Sequence, residues 1–167
     1  MYKRQLHVAA GEGHHEVVAA LIAAGATVNL ADNDGVTPLL MAAQNGHHQV
    51  ATTLIAARAN VDQANNHGQT PLFAACQCGH HDIARFLIER DADVEVSMRE
   101  NGWTPLFVAA WAGNESVVSM LLSAGANAKA ETTAEHEGIP AGSTPLSVAS
   151  QMGHSEVVAA LVGPDAT

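Results

Sequence analysis

Residues 37–57 read TPLLMAAQNGHHQVATTLIAA. Nearly the same string returns as TPLFAACQCGHHDIARFLIER at 70–90, TPLFVAAWAGNESVVSMLLSA at 104–124 and STPLSVASQMGHSEVVAALVG at 143–163, with QLHVAAGEGHHEVVAALIAAG at 5–25 ahead of them. Thr-Pro-Leu begins at Thr37, Thr70, Thr104 and Thr144, at intervals of 33, 34 and 40 residues. So regular a period means that one supersecondary unit is used repeatedly, each copy completing the core of the next.

The letters of the unit follow from local physics. Thr37 can cap a helix through its hydroxyl, and Pro38 then takes the first helical position, where a missing N–H costs nothing. Gly35 supplies the positive φ of a tight turn before that helix, Ala42 and Ala43 keep the helix thin, and Gly46 ends it in the left-handed conformation. A second helix from about His48 to Ala57 carries Val50, Leu54 and Ile55 on one apolar face. Neither helix can bury its face alone.

This pattern resembles the ankyrin repeat, roughly D-x-x-G-x-T-P-L-H-x-A-A-x-x-G-H followed by V-V, L-L and G-A-D-V-N. The resemblance covers the whole chain and implies an all-α repeat fold, an ankyrin-type α-solenoid of helix-turn-helix pairs joined by β-turn or hairpin loops. It implies a single domain over 1–167, with repeats at about 1–31, 32–64, 65–98, 99–131 and 139–167 and an insertion at 132–138. The first and last copies are incomplete, as in a compact stand-alone array or a piece of a longer one.

Departures from the pattern carry expectations of their own. The glycine after the second helix is present as Gly25 and Gly125 but is replaced by Arg58 and Asp91, which predicts strain at those two places. The histidine after Thr-Pro-Leu survives only as His7 and becomes Leu40, Phe73, Phe107 and Ser147, so apolar stacking is expected to stand in for its hydrogen bonds.

Composition narrows the function. Apolar residues make up 47% of the 167, yet only three Phe, two Trp and one Tyr are aromatic. Seven Lys and Arg oppose 17 Asp and Glu, for a formal net charge of −10. The cations Lys3, Arg4, Arg58, Arg85, Arg90, Arg99 and Lys129 never cluster, which argues against nucleic acid, whose phosphates need a contiguous basic footprint. No apolar run approaches the roughly 18 residues of a membrane span, and no secretory leader opens the chain. A cytoplasmic or nuclear location is expected, with no membrane partner.

The motif CQCGHH at 76–81 has the residue types of a metal site. Its spacing argues against one. The doublets His14-His15, His47-His48 and His80-His81 recur at 33 residues and so occupy equivalent points on successive units. Packed helices lie about 8–10 Å apart, whereas ligands of one zinc converge at about 2 Å from the ion. Within one unit Cys76 takes the place of Ala43 and Ala110, and Cys78 points about 200° away round the helix. Cys78 remains a candidate contact or reactive thiol.

His15-Glu16 lacks the second histidine of HExxH, and no GxSxG elbow or glycine-rich phosphate loop occurs. Asp32-Asn33-Asp34-Gly35 opens like a calcium loop, but Met41 stands where the bidentate Glu belongs. Asn114-Glu115-Ser116 spells a glycosylation sequon and is read as chance. No catalytic residue, cofactor or metal is expected.

The resemblance implies a protein-protein interaction module, or alternatively a stand-alone inhibitor that occludes an enzyme such as a kinase. It places the partner, a protein or peptide, in a concave groove lined by turn tips and first helices. The variable positions there are Asn33, Asp34 and Val36, then Asn66, His67 and Gln69, then Glu100, Asn101 and Trp103, with Gln44, Gln77, Cys78, Phe107 and Trp111 on the helices. Tryptophans at such positions are typical anchors. The acidic surroundings suit a partner with basic residues around an apolar anchor. The stretch TTAEHEG at 132–138 is expected to extend one turn flexibly beside the groove. Relatives are hydroxylated on the Asn of a Val-Asn pair, which only Val28-Asn29 matches. A monomer is expected.

Overall fold

The computed structural model describes the chain from Lys3 to Gly163. Among the described residues ten helices come in pairs: α1 (Lys3–Gly11) with α2 (His15–Ala23), α3 (Pro38–Gln44) with α4 (His48–Ala56), α5 (Pro71–Cys78) with α6 (His81–Ile88), α7 (Pro105–Trp111) with α8 (Glu115–Ser123), and α9 (Pro145–Met152) with α10 (Ser155–Val162). The odd-numbered helices pack on one another in sequence to form one layer, and the even-numbered helices form the second. Among the described residues extended structure is limited to an isolated bridge between His136 and Ile139.

Every Thr-Pro-Leu helix starts in the same way. The hydroxyls of Thr37, Thr70, Thr104 and Thr144 accept the amides of Leu40, Phe73, Phe107 and Ser147 at 3.1–3.2 Å, with proline at the head of each helix. In α9, Ser147 also accepts the Thr144 amide at 2.8 Å, closing a reciprocal capping box. Thus Ser147 serves its own helix end, whereas Leu40, Phe73 and Phe107 are buried in the stack. His7 instead reaches the carbonyl of Val36 in the next unit at 2.9 Å.

The core is a continuous strip of small and branched side chains. Ala10, Ala43, Cys76 and Ala110 are fully enclosed in the first-helix layer, and Val50, Ile83, Val117 and Val157 in the second. Alanines let the helices approach closely, and the branched residues fill the space between layers. Burial pushes the Cys76 thiol far up, so it behaves as a small apolar group.

Turns are joined as well as stacked. The amides of Asn66, Arg99 and Thr133 donate to the carbonyls of Asp34, His67 and Asn101 of the preceding turn at 2.8–3.0 Å. This edge-to-edge ladder fixes the spacing of the tips.

Arg58 and Asp91 adopt φ of 66° and 61°, the strain expected where the unit prefers glycine. A Cβ at the equivalent Gly25 or Gly125 would meet nothing within 4 Å, so the cost at this position is backbone strain alone. Replacing Arg58 with Gly is expected to raise stability by about 1 kcal/mol in urea unfolding, reduced somewhat by the greater freedom of glycine in the unfolded chain.

Candidate functional site

The turn tips are built on a shared device. Asp32 Oδ1 accepts the amides of Asp34 and Val36 at 2.9 Å, and Asn65 Oδ1 accepts those of His67 and Gln69 at 3.0 Å. The fourth turn is one residue longer: the amide-to-carbonyl closures Asp32–Val36 and Asn65–Gln69 become Met98–Trp103. There Asn101 Oδ1 accepts the Trp103 amide at 3.1 Å. These closures leave the side chains of Asn33, Asp34, Asn66, His67 and Glu100 exposed, with Val36 and Gln69 half-buried. His67 Nδ1 and Glu100 Oε1 meet at 2.9 Å across neighbouring tips. Gln44, Gln77 and Cys78 are exposed at the ends of α3 and α5, and Trp111 is half-buried at the end of α7.

Three expected contact residues are not on the surface. Asn101 and Phe107 are 1% exposed and Trp103 is 3% exposed. The structure does bring Trp103, Phe107 and Trp111 together, with ring centroids 5.2 and 5.9 Å from Trp103, but as an internal aromatic cluster. Its cover comes from the 132–138 insertion, which is not a free extension. The insertion lies within the fifth turn, between Thr132 and Ser143, whose backbone bond of 2.9 Å closes it as Met98 and Trp103 close the fourth. Thr132 accepts the Ser143 amide and donates to the Pro140 carbonyl. His136 stands edge-on to Trp103 at 5.3 Å, and Ile139 is buried beside the core. The larger ring at the place of Val36 and Gln69 requires such a cover. Trp103 Nε1 and Asn101 Nδ2 find no hydrogen-bond partner among the described residues, an arrangement costing about 1–3 kcal/mol per donor.

The repeated histidines have a structural task. Nε2 of His47, His80 and His154 donates to the carbonyls of Gly11, Gln44 and Trp111, at or near the end of the preceding first helix, at 2.8, 3.0 and 3.0 Å. Asn114 takes the same role toward the Cys76 carbonyl at 3.2 Å. A ring nitrogen whose proton is held by a carbonyl has no lone pair for a metal. Cys78 is exposed, and desolvation pushes its thiol above the ordinary range, which disfavours the thiolate.

Asn29 is part of the scaffold too. Its side chain accepts the Asn60 amide at 2.8 Å and donates to the Arg58 carbonyl at 3.2 Å.

The first-helix side of the molecule has an open depression of about 420 Å³ lined by Arg4, His7, Val8, Asp32, Asn33, Asp34 and Met41. Sequence reading picked out Asn33 and Asp34 but missed Val8 and Met41. A valine in the first unit and a methionine in the second, on adjacent helices, form its apolar floor.

The helix pairs, their capped Thr-Pro starts and the ladder of turn tips define a tandem repeat of two-helix units presenting a variable edge. The chain belongs to the ankyrin repeat family: the family profile described as "Ankyrin repeats (3 copies)" matches it over residues 6–98, 59–132 and 94–167. Ankyrin repeats are generally protein-protein interaction modules and are typically non-enzymatic. A comparison with curated proteins gives no match. Among the described residues no helix is long and apolar enough to cross a membrane.

Proposed function

We propose that the chain binds a protein or peptide along the edge made by its turn tips and first helices. An apolar side chain of the partner seats between Val8 and Met41, and basic residues lie against the carboxylates of the tips. The observation that carries this reading is the depression between the first and second units, where an apolar floor is bordered by Asp32 and Asp34, two carboxylates against the single cation Arg4. Farther along, the tips and the insertion expose Glu100, Glu131, Glu135 and Glu137, with Arg99 as the exposed cation among them. A field of this sign speeds the approach of a basic ligand and opposes an acidic one. Trp111, half-buried beside Cys78's unit, extends the apolar contact past the middle of the array.

The test is selection of peptides from a random library against the folded chain. The expected ligands carry one apolar anchor flanked by Lys or Arg. Asp34→Lys should weaken them at least tenfold and flatten the salt dependence, because the exposed Asp34 contributes charge without supporting the fold. Glu89→Gln, on the second-helix layer, should leave affinity unchanged. Ligands insensitive to Asp34→Lys and lost in Glu89→Gln would place the binding surface on the opposite side.

A further inference from the structure

The insertion in the fifth turn is anchored at its base and loosely held at its tip. At the base the Thr132 amide donates to the Ser143 carbonyl and the Gly142 amide to the Thr132 carbonyl, at 2.9 and 2.8 Å, and the Thr133 amide reaches the Asn101 carbonyl of the fourth turn at 2.8 Å. From 134 to 139 the backbone bonds only to itself among the described residues: the amides of His136 and Ile139 each meet the other's carbonyl, at 3.0 and 2.9 Å. The tip is held down by the buried Ile139 side chain and by the His136 ring on Trp103. It is also strained. The chain reverses through Glu137 and Gly138, with φ of 50° and 78°. A hairpin turn whose two central residues are both left-handed favours Asn-Gly, and here a glutamate stands in place of the asparagine. The contact of Glu137 with His136 Nε2, 3.8 Å away and exposed, is weak compensation.

What the tip covers is only half satisfied. Asn101 Nδ2 and Trp103 Nε1 are buried donors without a partner among the described residues, and the Trp103 ring packs on Phe107 and Trp111 beside them. Native interiors rarely leave such donors unpaired. Ile139 and His136 supply apolar and ring contact from above, yet no carbonyl of the tip reaches either donor. The cover therefore meets the apolar part of this place and not its polar part.

We propose that the tip of the insertion is a displaceable plug, and that a partner peptide takes its place, with an apolar side chain on the Trp103, Phe107 and Trp111 rings and backbone carbonyls on the two donors. The exposed Glu135 and Glu137 ride on the tip, and the exposed Glu100 and Glu131 flank its base, so basic residues beside the apolar one are favoured. This rests on the peptide-binding reading above and adds to it a seat beyond Val8 and Met41. The plugged state is the resting one. Apparent affinity at this seat is then reduced by the fraction of chains that are open, and whatever shifts that fraction shifts affinity by the same factor.

Hydrogen exchange of the Trp103 indole N–H, followed by NMR and assigned with Trp111→Phe, reads the opening without any ligand. Its rate should be nearly independent of low urea, the mark of local opening, while the core amide of Leu121 exchanges only as the chain unfolds. Glu137→Asn should slow the indole about threefold by relieving the turn, and Ile139→Ser should speed it about tenfold by removing the plug. The capped tripeptide acetyl-Lys-Leu-Lys-amide probes the seat. It should shift the Trp103 indole signal, with a Kd that rises about threefold in Glu137→Asn, the factor seen in exchange, and falls in Ile139→Ser. Glu137 is exposed, so Glu137→Asn decides the matter even if Ile139→Ser fails to fold. Indole exchange that follows urea as steeply as Leu121 would overturn the proposal, as would a tripeptide that binds without moving the Trp103 signal. Asp34→Lys separates this seat from the one over Val8 and Met41. Ligands weakened by Asp34→Lys that leave the Trp103 signal still would sink the plug and keep that first seat, and a Trp103 shift with affinity indifferent to Asp34→Lys would do the reverse.

Discussion

Replacing Trp103 with Ala is expected to lower stability by about 3 kcal/mol, measured by urea unfolding followed by circular dichroism. Removing a buried tryptophan costs about 3–5 kcal/mol through lost burial and the cavity left behind. The lower end applies here because the Nε1 donor is already unpaired, so its removal relieves part of the loss. The cavity would open beneath His136 and beside Phe107, both within 5.3 Å of the indole by centroid. Trp103→Phe should keep most of the stability, since a phenyl ring still meets Phe107 and supplies no orphan donor. Were Trp103 instead an exposed anchor, Trp103→Ala would cost no more than about 0.5 kcal/mol, the usual range for surface positions. A small loss would therefore overturn the role of the insertion as a cover.

A single methyl group should be nearly as damaging at Gly68. This residue has φ of +91°, and a Cβ there would approach the Ser97 carbonyl oxygen at 2.9 Å and the Arg99 amide nitrogen at 3.0 Å. Both are backbone atoms and cannot rotate away. The Arg99 amide also donates to the His67 carbonyl, so displacing it disturbs the ladder between the third and fourth turn tips. Left-handed strain of about 1–2 kcal/mol and a weakened hydrogen bond of about 1 kcal/mol give an expected loss of about 2–3 kcal/mol for Gly68→Ala. Gly125 provides the internal control. Its φ is +89°, nearly the same, but a Cβ there meets nothing within 4 Å, so Gly125→Ala should cost only the strain, about 1 kcal/mol. Equal losses at the two glycines would mean that the turn tips are not tied together as described.

The scaffold was legible in the sequence because its determinants are local. A threonine cap, a proline at the first helical position and a glycine after the helix act within a few residues of themselves, and they recur too regularly to be misread. The strain at Arg58 and Asp91 was legible for the same reason. Open space at the equivalent Gly25 and Gly125 also explains why side chains are tolerated at this position at all.

The surface edge was only partly legible. Exposure at a repeat position depends on what a neighbouring unit places over it, and the cover over Trp103 lies 33 residues further on, in a turn that departs from the common length. A bulky ring at a position held elsewhere by Val36 and Gln69, followed by an insertion in the next turn, was the signal available, and it indicates burial. The histidine bonds were hidden similarly. Gly-His is readable as a turn, but its carbonyl partner sits 36 to 43 residues earlier, outside any local pattern. Asn114 shows that the bond outlasts the histidine when another side chain can reach.

With Trp103, Phe107 and Asn101 assigned to the interior, the proposed partner-facing edge consists of the tips at 33–36, 66–69 and 99–100, the helix ends at Gln44, Gln77, Cys78 and Trp111, and the depression over Val8 and Met41. Amide hydrogen exchange of the chain with and without a selected basic peptide measures this edge directly. Slowed exchange is expected in the turn tips from 32 to 36 and 65 to 69 and in α1 and α3, with α4, α6 and α8 unchanged. Slowed exchange confined to α4, α6 and α8 would contradict it.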